Sequence, residues 1–168
     1  MSRIVVVSGN PRPGSRTSTL AVAVGEAVAA RTGGLPPTVI EVGELGPGLL
    51  TPGDEATAAA VSLLREAEVL VVATPTYKGS YTGVLKVLLD QLPAQALAGK
   101  RAVPVVTAGV APQAGAAEAL LRQLLTELGA DVAPGLPVVE ADLPETKEIA
   151  ERYAERYAGT AHSGHSGR

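Results

Sequence analysis

Residues 3–20 (RIVVVSGNPRPGSRTSTL) constrain the fold more than any other segment of this chain. The β-branched apolar run from Ile4 to Val7 has the pattern of a buried strand, and it ends abruptly at Ser8-Gly9. A short loop and then a helical pattern follow. Hydroxyl side chains crowd the loop end and the first helical turn, at Ser15, Thr17, Ser18 and Thr19. This arrangement is typical of a phosphate site in α/β proteins, because open N–H groups and the helix dipole favour an anion there.

Strand-like and helix-like patterns alternate along the rest of the chain. The strand-like runs lie at residues 4–8, 38–42, 69–74 and 102–107, with a weaker run near 138–139. The helical patterns lie at residues 18–31, 54–66, 83–92, 116–128 and 145–157. This alternation predicts a parallel sheet with right-handed crossovers. We therefore expect an α/β fold of the flavodoxin-like type, a three-layer sandwich whose five-stranded parallel sheet carries helices on both faces and its ligand site at the carboxyl ends of the strands.

Composition narrows the class of protein. The chain has 168 residues, of which 46% are hydrophobic, and we assign residues 1–158 to one domain. Its net charge of −3 and the absence of a long basic run argue against binding to nucleic acid. No apolar run approaches the roughly 20 residues of a membrane span, and the first residues lack a signal-peptide layout. We therefore expect a cytoplasmic protein that does not insert in a membrane.

Residues 159–168 are polar and rich in Gly and Ser, which predicts a disordered tail. Both histidines, His162 and His165, lie in this segment, and the chain has no cysteine. Two possible ligands on a tail do not fix a coordination geometry, so we predict no metal site. The same composition excludes disulfides and a Ser-His-Asp triad.

The loop after the first strand is compatible with three kinds of phosphate site. The spacing from Gly9 to Gly14 matches a Walker A loop, but Ser15 and Arg16 stand where that motif needs Lys and Ser or Thr. The G-x-G-x-x-G fingerprint of a dinucleotide site is absent. A mononucleotide phosphate held by hydroxyls, N–H groups and one arginine remains, and it points to FMN. The side chains that could supply this set are those of Ser8, Arg12, Ser15, Thr17 and Ser18. The alternative is that the hydroxyls only cap a helix, although a cap needs one such residue.

Two further loops follow strand-like runs. Residues 74–83 (TPTYKGSYTG) hold two of the four tyrosines, and Gly79 and Gly83 permit close approach of the backbone. A flat ring could lie on this loop with Tyr77 covering an apolar part of it. The alternative is an ordinary β–α loop whose tyrosine packs on the core. Residues 107–111 (TAGVA) place small side chains after the next strand, which leaves room for a planar ring.

Together these loops resemble the NADPH-dependent FMN reductase family. The family opens with a strand followed by G-S-x-R-x-x-S-x-S/T, which corresponds here to residues 8–17 (SGNPRPGSRT). It also has the segment P-x-Y-K/N-x-S-x-S/T-G-x-L-K-x-x-L/I-D, which residues 75–90 (PTYKGSYTGVLKVLLD) match almost completely. A Gly-Lys pair before the fourth strand, at residues 99–100, and the small-residue turn at 107–109 add to the resemblance. The spacing is most similar to that of the sulfonate-utilisation type of FMN reductase.

The resemblance implies hydride transfer from NADPH to N5 of FMN, with the reduced flavin passing to a partner monooxygenase. It implies no catalytic side chain, because the chemistry belongs to the cofactor. It also implies a homodimer or homotetramer that uses the apolar helix at residues 84–92. The cofactor-binding residues that it implies are Ser8, Arg12, Ser15, Thr17, Ser18, Pro75, Thr76, Tyr77, Lys78, Gly79, Ser80, Thr107 and Gly109.

Two other functions are compatible with the same fold. One is a reductase that retains FMN and passes electrons to quinones, azo dyes or metal oxyanions. The other is a flavodoxin-type electron carrier, which would be more acidic and would hold the flavin between aromatic rings. The net charge of −3 and the absence of Trp argue against the carrier. Direct oxidation of NAD(P)H distinguishes an enzyme from a carrier.

Overall fold

The computed structural model of the chain describes residues 2–163. Within this range the strands are β1 (Ile4–Ser8), β2 (Thr38–Glu41), β3 (Val69–Pro75), β4 (Arg101–Ala108), β5 (Asp131–Val132) and β6 (Leu136–Val139). The α-helices are α1 (Arg16–Thr32), α2 (Val42–Leu45), α3 (Glu55–Glu66), α4 (Gly83–Leu89), α5 (Ala111–Glu127) and α6 (Thr146–Ser163). Two 3-10 helices cover Gly46–Leu50 and Glu140–Glu145. Strands and helices alternate, which confirms the predicted α/β class.

The strands form one parallel sheet in the order β2-β1-β3-β4-β5. This is the flavodoxin-like order 2-1-3-4-5. The predicted sheet has one strand at its fifth position, whereas here two short strands share that position. β5 pairs with the beginning of β4 and β6 with its end. Pro134 and Gly135 lie between them, and a proline has no N–H to donate to a ladder, so pairing is interrupted there.

The two faces of the sheet build two hydrophobic cores from alternate residues of the same strands. Val5 and Val7 of β1 pack on the face that carries α3, α4 and α5, in a cluster with Leu64, Leu85 and Leu121. Ile4 and Val6 pack on the face that carries α1 and α6. Every residue of β1 is buried, as expected for a central strand covered by helices on both sides. The predicted three-layer sandwich is therefore confirmed.

Helix α6 is longer than the predicted helix at residues 145–157. Tyr153 and Tyr157 are buried against the sheet, and the hydroxyl of Tyr153 donates to the carbonyl of Pro134 at 2.5 Å. The guanidinium of Arg101 lies 5.2 Å from the centre of the Tyr157 ring. These contacts hold the second half of α6 on the sheet, and the helix continues to Ser163. The predicted disordered tail at 159–168 therefore begins too early, and residues 164–168, including His165, lie outside the described residues.

Two absences apply to the described part of the chain. None of its helices combines the length and the apolar character that crossing a membrane requires. No group of three or more His, Asp or Glu side chains among residues 2–163 is arranged to hold a metal ion.

Candidate functional site

A cleft of about 450 Å³ lies where the loops after β1, β3 and β4 meet. In the sheet, β2 lies on one side of β1 and β3 lies on the other, so the direction in which strands are added reverses after β2. The cleft is at this switch point, where α/β sheets bind ligands. A larger groove of about 580 Å³ runs between α1 and α6, but it is lined mainly by alanines and lies away from these loops. The residues that line the cleft are Asn10, Arg12, Pro13, Gly14, Ser15, Arg16, Thr17, Pro75, Tyr77, Thr107, Glu140 and Leu143.

The first wall of the cleft is the beginning of α1. Ser15 is the N-cap residue, and its Oγ accepts a hydrogen bond from the N–H of Ser18 at 3.1 Å. The first N–H groups of a helix have no acceptor within it, and within residues 2–163 those of Arg16 and Thr17 have none elsewhere. The first turn contains no acidic residue. This end of α1 is therefore suited to an anion.

One side chain within the loop before α1 and one from β2 hold this loop in place. The carboxamide oxygen of the buried Asn10 accepts a hydrogen bond from the N–H of Arg12 at 2.9 Å, which makes a local turn. The carboxylate of Glu41, at the end of β2, accepts a hydrogen bond from the N–H of Gly14 at 3.2 Å. Gly14 has a φ of 71°, a conformation that glycine adopts without strain. These contacts within the protein fix the shape of the loop.

Ser8 and Ser18 lie beneath this loop and not at the surface of the cleft. Their Oγ atoms are 2.6 Å apart, and the Oγ of Ser18 is also 3.1 Å from that of Ser15. Both residues are buried. The structure therefore places these two predicted phosphate ligands where they support Ser15 and the loop.

The second wall is the loop after β3, which turns back on itself at Tyr77–Ser80. The N–H of Tyr77 donates to the carbonyl of Ser80 at 2.9 Å, and the N–H of Ser80 donates to the carbonyl of Tyr77 at 3.2 Å. Lys78 and Gly79 have φ values of 52° and 81°, as the two central residues of a type I′ turn require. Tyr77 lines the cleft and is 43% exposed. Its ring thus offers a flat, accessible surface.

Thr107, near the end of β4, connects both other walls of the cleft. Its Oγ1 lies 2.8 Å from that of Thr17 in α1, and its carbonyl accepts a hydrogen bond from Oγ1 of Thr76 at 2.9 Å. Thr107 is at the end of β4 and nearly buried. Gly109 follows it in an exposed position and does not line the cleft. These hydroxyl contacts therefore join the first turn of α1, the loop after β3 and the end of β4.

Two arginines and one glutamate line the cleft. Arg12 and Arg16 line it, and Glu140 is the single carboxylate among the lining residues. Arg16 Nη2 lies 3.8 Å from Glu140 Oε2, in an exposed ion pair, whereas Arg12 pairs with no carboxylate of the described residues. An anionic ligand would meet a free guanidinium at Arg12 and the open end of α1.

Comparison with known proteins identifies the family. The family model described as NADPH-dependent FMN reductase matches residues 2–142, which include all the loops of the cleft. The chain belongs to this family. The predicted resemblance is thereby confirmed.

Two similar proteins are also named as FMN reductases. Over 67 residues the chain is 45% identical to the FMN reductase (NADPH) of Escherichia coli strain K12. This matched segment is 40% of this chain and 35% of that protein. Over 111 residues it is 38% identical to the NADH-dependent FMN reductase SfnF of Pseudomonas putida. This matched segment is 63% of this chain and 58% of that protein. The matched part is thus less than two thirds of either relative.

A solved structure extends the comparison to nearly the whole chain. The apo form of the NADH:FMN oxidoreductase EMOB superposes on it with a TM-score of 0.84 and 32% sequence identity. The superposition covers 95% of this chain and 90% of the other. The fold predicted from the sequence is therefore confirmed by comparison as well as by topology.

The structure assigns the predicted site residues of this family member to three groups. Arg12, Ser15, Thr17, Pro75, Tyr77 and Thr107 line the cleft. Ser8, Ser18 and Thr76 make hydrogen bonds that support the walls. Lys78, Gly79, Ser80 and Gly109 lie in the adjoining turns without lining the cleft.

Sequence reasoning did not name several residues that shape the site, among them Asn10, Thr82 and Glu140. Asn10 precedes a proline in a loop, a pattern that signals a local turn. Thr82 precedes the apolar helix α4 and is its N-cap residue, a pattern that signals a helix start. Glu140 lies 124 positions after Arg16, and no local pattern in the sequence indicates that they meet.

Proposed function

We propose that this chain is an NAD(P)H-dependent FMN reductase and that FMN binds in the cleft after β1, β3 and β4. One observation supports this most directly: an anion site at the N-terminus of α1 faces a loop with an exposed tyrosine across a single cleft. FMN needs both features, because it joins a phosphate to a flat ring system. The names of the relatives point the same way, since each is a reductase or oxidoreductase of FMN.

The residues of the first wall fit the phosphate. Ser15 and Thr17 present hydroxyls, and the N–H groups of Arg16 and Thr17 have no partner within residues 2–163. Arg12 would supply a guanidinium, which can bind phosphate through two parallel hydrogen bonds. Ser8 and Ser18 would act beneath the loop by holding Ser15. We assign no metal to the site, because hydroxyls, amides and arginine suffice for a monophosphate.

The residues of the other two loops fit the ring. Pro75, Tyr77 and Thr107 line the cleft opposite the anion site. The turn at Lys78–Gly79, with Ser80 after it, carries backbone groups close to this wall. Thr76 holds the wall against β4, and Gly109 leaves space beyond Thr107. These residues complete the cofactor-binding set that the sequence predicts.

The chain's own residues bind and orient, and none acts as a catalytic acid or base. FMN, when bound, supplies the hydride acceptor at N5. We call the first wall, at the beginning of α1, the phosphate wall, and the second wall, with Pro75 and Tyr77, the ring wall. The Thr17–Thr107 contact fixes the phosphate wall relative to the ring wall. The exposed side of Tyr77 leaves room for a second flat molecule. Holding two reactants in a fixed geometry accelerates reaction by proximity, without a proton transfer from the protein.

The proposal includes the fate of the product. We propose that NADPH or NADH is the reductant and that the reduced flavin passes to a partner monooxygenase in the cytoplasm. An exposed ring wall favours a flavin that enters and leaves. Val84 and Val87 of α4 are only partly buried, and a second copy of the chain in a homodimer or homotetramer would cover them.

The test is oxidation of NADPH and NADH by the purified protein, with and without added FMN, together with a visible spectrum after desalting. We expect a colourless protein whose activity depends on added FMN. A yellow protein that oxidises NAD(P)H only with a quinone or a dye would show a reductase that retains its flavin. A protein that holds FMN and oxidises neither nucleotide would be an electron carrier, and one that binds no FMN would overturn the proposal.

A further inference from the structure

We propose that Thr82, which does not line the cleft, is a positioning residue that sets the distance between the phosphate wall and the ring wall. This inference rests on the proposed function for the identity of the ligand. It goes beyond the set of ligand contacts, because Thr82 acts through other residues. The observation that carries it is a pair of buried hydrogen bonds, one from the hydroxyl and one from the amide of Thr82, that joins the loop after β1 to the end of β3.

Thr82 makes contacts with both loops and with α4. It is 1% exposed, and its Oγ1 donates a hydrogen bond to the carbonyl of Gly9 at 2.5 Å. The same oxygen accepts from the N–H of Leu85, which caps α4. Its own N–H donates to Oγ1 of Thr74 at 3.1 Å. One hydroxyl and one amide thus connect the loop after β1, the end of β3 and the start of α4.

The loop after β1 is held from both sides at Gly9. Its N–H donates to the carbonyl of Ala73 at 2.8 Å, while its carbonyl is bound by Thr82. A Cβ at this position would lie 2.8 Å from Cβ of Leu85 and 3.2 Å from the carbonyl oxygen of Ala73. Gly9 therefore fits closely between β3 and α4, and Thr82 keeps it there. The residues of the anion site follow within a few positions, so the position of Gly9 sets where that site begins.

The loop after β3 is closed by the same residue. Oγ1 of Thr74 accepts from Thr82 and donates to the carbonyl of Pro75 at 2.7 Å. Thr74 is fully buried. The bond from residue 82 back to residue 74 encloses Pro75 and Tyr77, which form the ring wall. Loss of the Thr82 hydroxyl would free the carbonyl of Gly9 while the bond from the Thr82 N–H to Thr74 remains. The loop after β1 would then be released from the loop after β3 without removing any ligand contact.

The test compares Thr82→Val, Thr82→Ser and Thr57→Val. Valine keeps the volume of threonine but removes the hydroxyl, and serine keeps the hydroxyl. Thr57 is a matched control, because it is buried, its Oγ1 donates to the N-cap carboxylate of Asp54 at 2.7 Å, and neither residue lines the cleft. We expect Thr82→Val to weaken FMN binding about tenfold, because the carbonyl of Gly9 loses its partner and the anion site that follows Gly9 is less well fixed. The other two variants should stay within about threefold of the parent.

The kinetic constants distinguish a positioning role of Thr82 from a purely structural one. If Thr82 positions the walls, Thr82→Val lowers kcat at saturating FMN as well as raising the KM for FMN, because misplaced walls misalign the reactants. A residue that only stabilises the fold would leave kcat at a temperature well below unfolding unchanged. Thr82→Ser should restore both constants. Equal FMN affinity and equal kcat in Thr82→Val and Thr57→Val would overturn the proposal.

Amide hydrogen exchange of the ligand-free protein separates this inference from the proposed function. In Thr82→Val we expect exchange to increase at residues 9–15 and 76–80, while Thr57→Val leaves those segments unchanged. If the parent protein binds no FMN, the proposed function fails, and exchange alone decides whether Thr82 holds the walls. Unchanged exchange in both segments would show that it does not.

Discussion

The hydroxyl oxygens of Thr17 and Thr107 lie 2.8 Å apart, although 90 positions of the chain separate the two residues. Thr17 belongs to the first turn of α1 and Thr107 to the end of β4, and both are nearly buried. This contact makes the anion site and the opposite wall of the cleft parts of one packed unit. Little rearrangement is then needed when a ligand binds, which reduces the cost of binding.

The contact can be tested with a double-mutant cycle of Thr17→Val, Thr107→Val and the double variant. Each single change leaves the other hydroxyl buried without this partner, which costs about 1–3 kcal/mol of unfolding free energy. The double variant should lose less than the sum of the two, because it leaves no orphaned hydroxyl. Urea unfolding of the ligand-free proteins measures this, and strictly additive losses would show that the two hydroxyls are not coupled.

Arg12 should determine affinity for the phosphate and not for the ring. Arg12→Gln removes the free guanidinium at the anion site, and a hydrogen bond to a charged group is worth about 1.5–3 kcal/mol. We expect FMN to bind roughly 10- to 100-fold more weakly. Riboflavin, which has the same ring and no phosphate, should bind equally to the parent and the variant. Fluorescence titration measures both constants.

The control for Arg12 is Arg31→Gln, which removes an exposed arginine at the far end of α1. This variant has the same change in net charge and should leave the FMN affinity unchanged at moderate salt. A similar loss of FMN affinity in both variants would indicate a general effect of charge. A loss of riboflavin affinity in Arg12→Gln would place Arg12 at the ring.

The sequence was sufficient to predict the order of the first four strands and the loops that meet at the edge of the sheet, but not the division of the last position between β5 and β6. β1 was predicted at its observed bounds because a strand buried on both faces is a continuous apolar run that ends where the chain leaves the core. The three loops were located because each follows such a run. Parallel strands bring their carboxyl ends to one edge, so the loops had to be neighbours.

The direction of individual side chains was not predictable from the sequence. Ser8 and Ser15 are both hydroxyl residues beside the same loop, yet Ser8 faces inward to Ser18 and Ser15 faces the cleft. Which way each points depends on the backbone at the helix start and on what packs beneath it. Glu140 joins the cleft only because β6 pairs with the end of β4. The end of α6 was missed because it depends on a tertiary contact, that of Tyr157 with Arg101.

The turn at Lys78 carries strain that a substitution can reveal. Lys78 has a φ of 52°, which costs a residue other than glycine, asparagine or aspartate about 1 kcal/mol. Asparagine tolerates this conformation and valine does not. We expect Lys78→Asn to raise the unfolding free energy of the ligand-free protein by about 0.5 kcal/mol and Lys78→Val to lower it by at least about 1 kcal/mol.

Flavin affinity of the same variants shows whether the strain serves binding. Strained residues that persist tend to lie at functional sites. If the Lys78 side chain contacts the ligand, Lys78→Asn should bind FMN more weakly although the protein is more stable. Equal affinity with higher stability would make Lys78 a turn residue only. Equal unfolding free energies for the parent, Lys78→Asn and Lys78→Val would show that the backbone at Lys78 is not strained.

The stability of the protein should depend on pH through Asp54, the N-cap residue of α3. Its carboxylate accepts hydrogen bonds from Oγ1 and N–H of Thr57, at 2.7 and 3.0 Å, and these lower the pKa of Asp54. A carboxyl group whose pKa is lower in the folded state stabilises that state above its ordinary pKa of 3.8. The contribution disappears as the pH falls through the folded pKa.

Asp54→Asn isolates this charge, because asparagine is an equally good N-cap residue that does not titrate. We expect the parent to be more stable than Asp54→Asn at pH 7 and the difference to shrink steadily below pH 4. Urea unfolding across this range measures the difference, and NMR titration gives the pKa of Asp54 directly. Thr57→Val should raise that pKa towards its usual range, since it removes the stronger of the two hydrogen bonds. A stability difference that is the same at pH 7 and pH 3 would show that the cap acts without its charge.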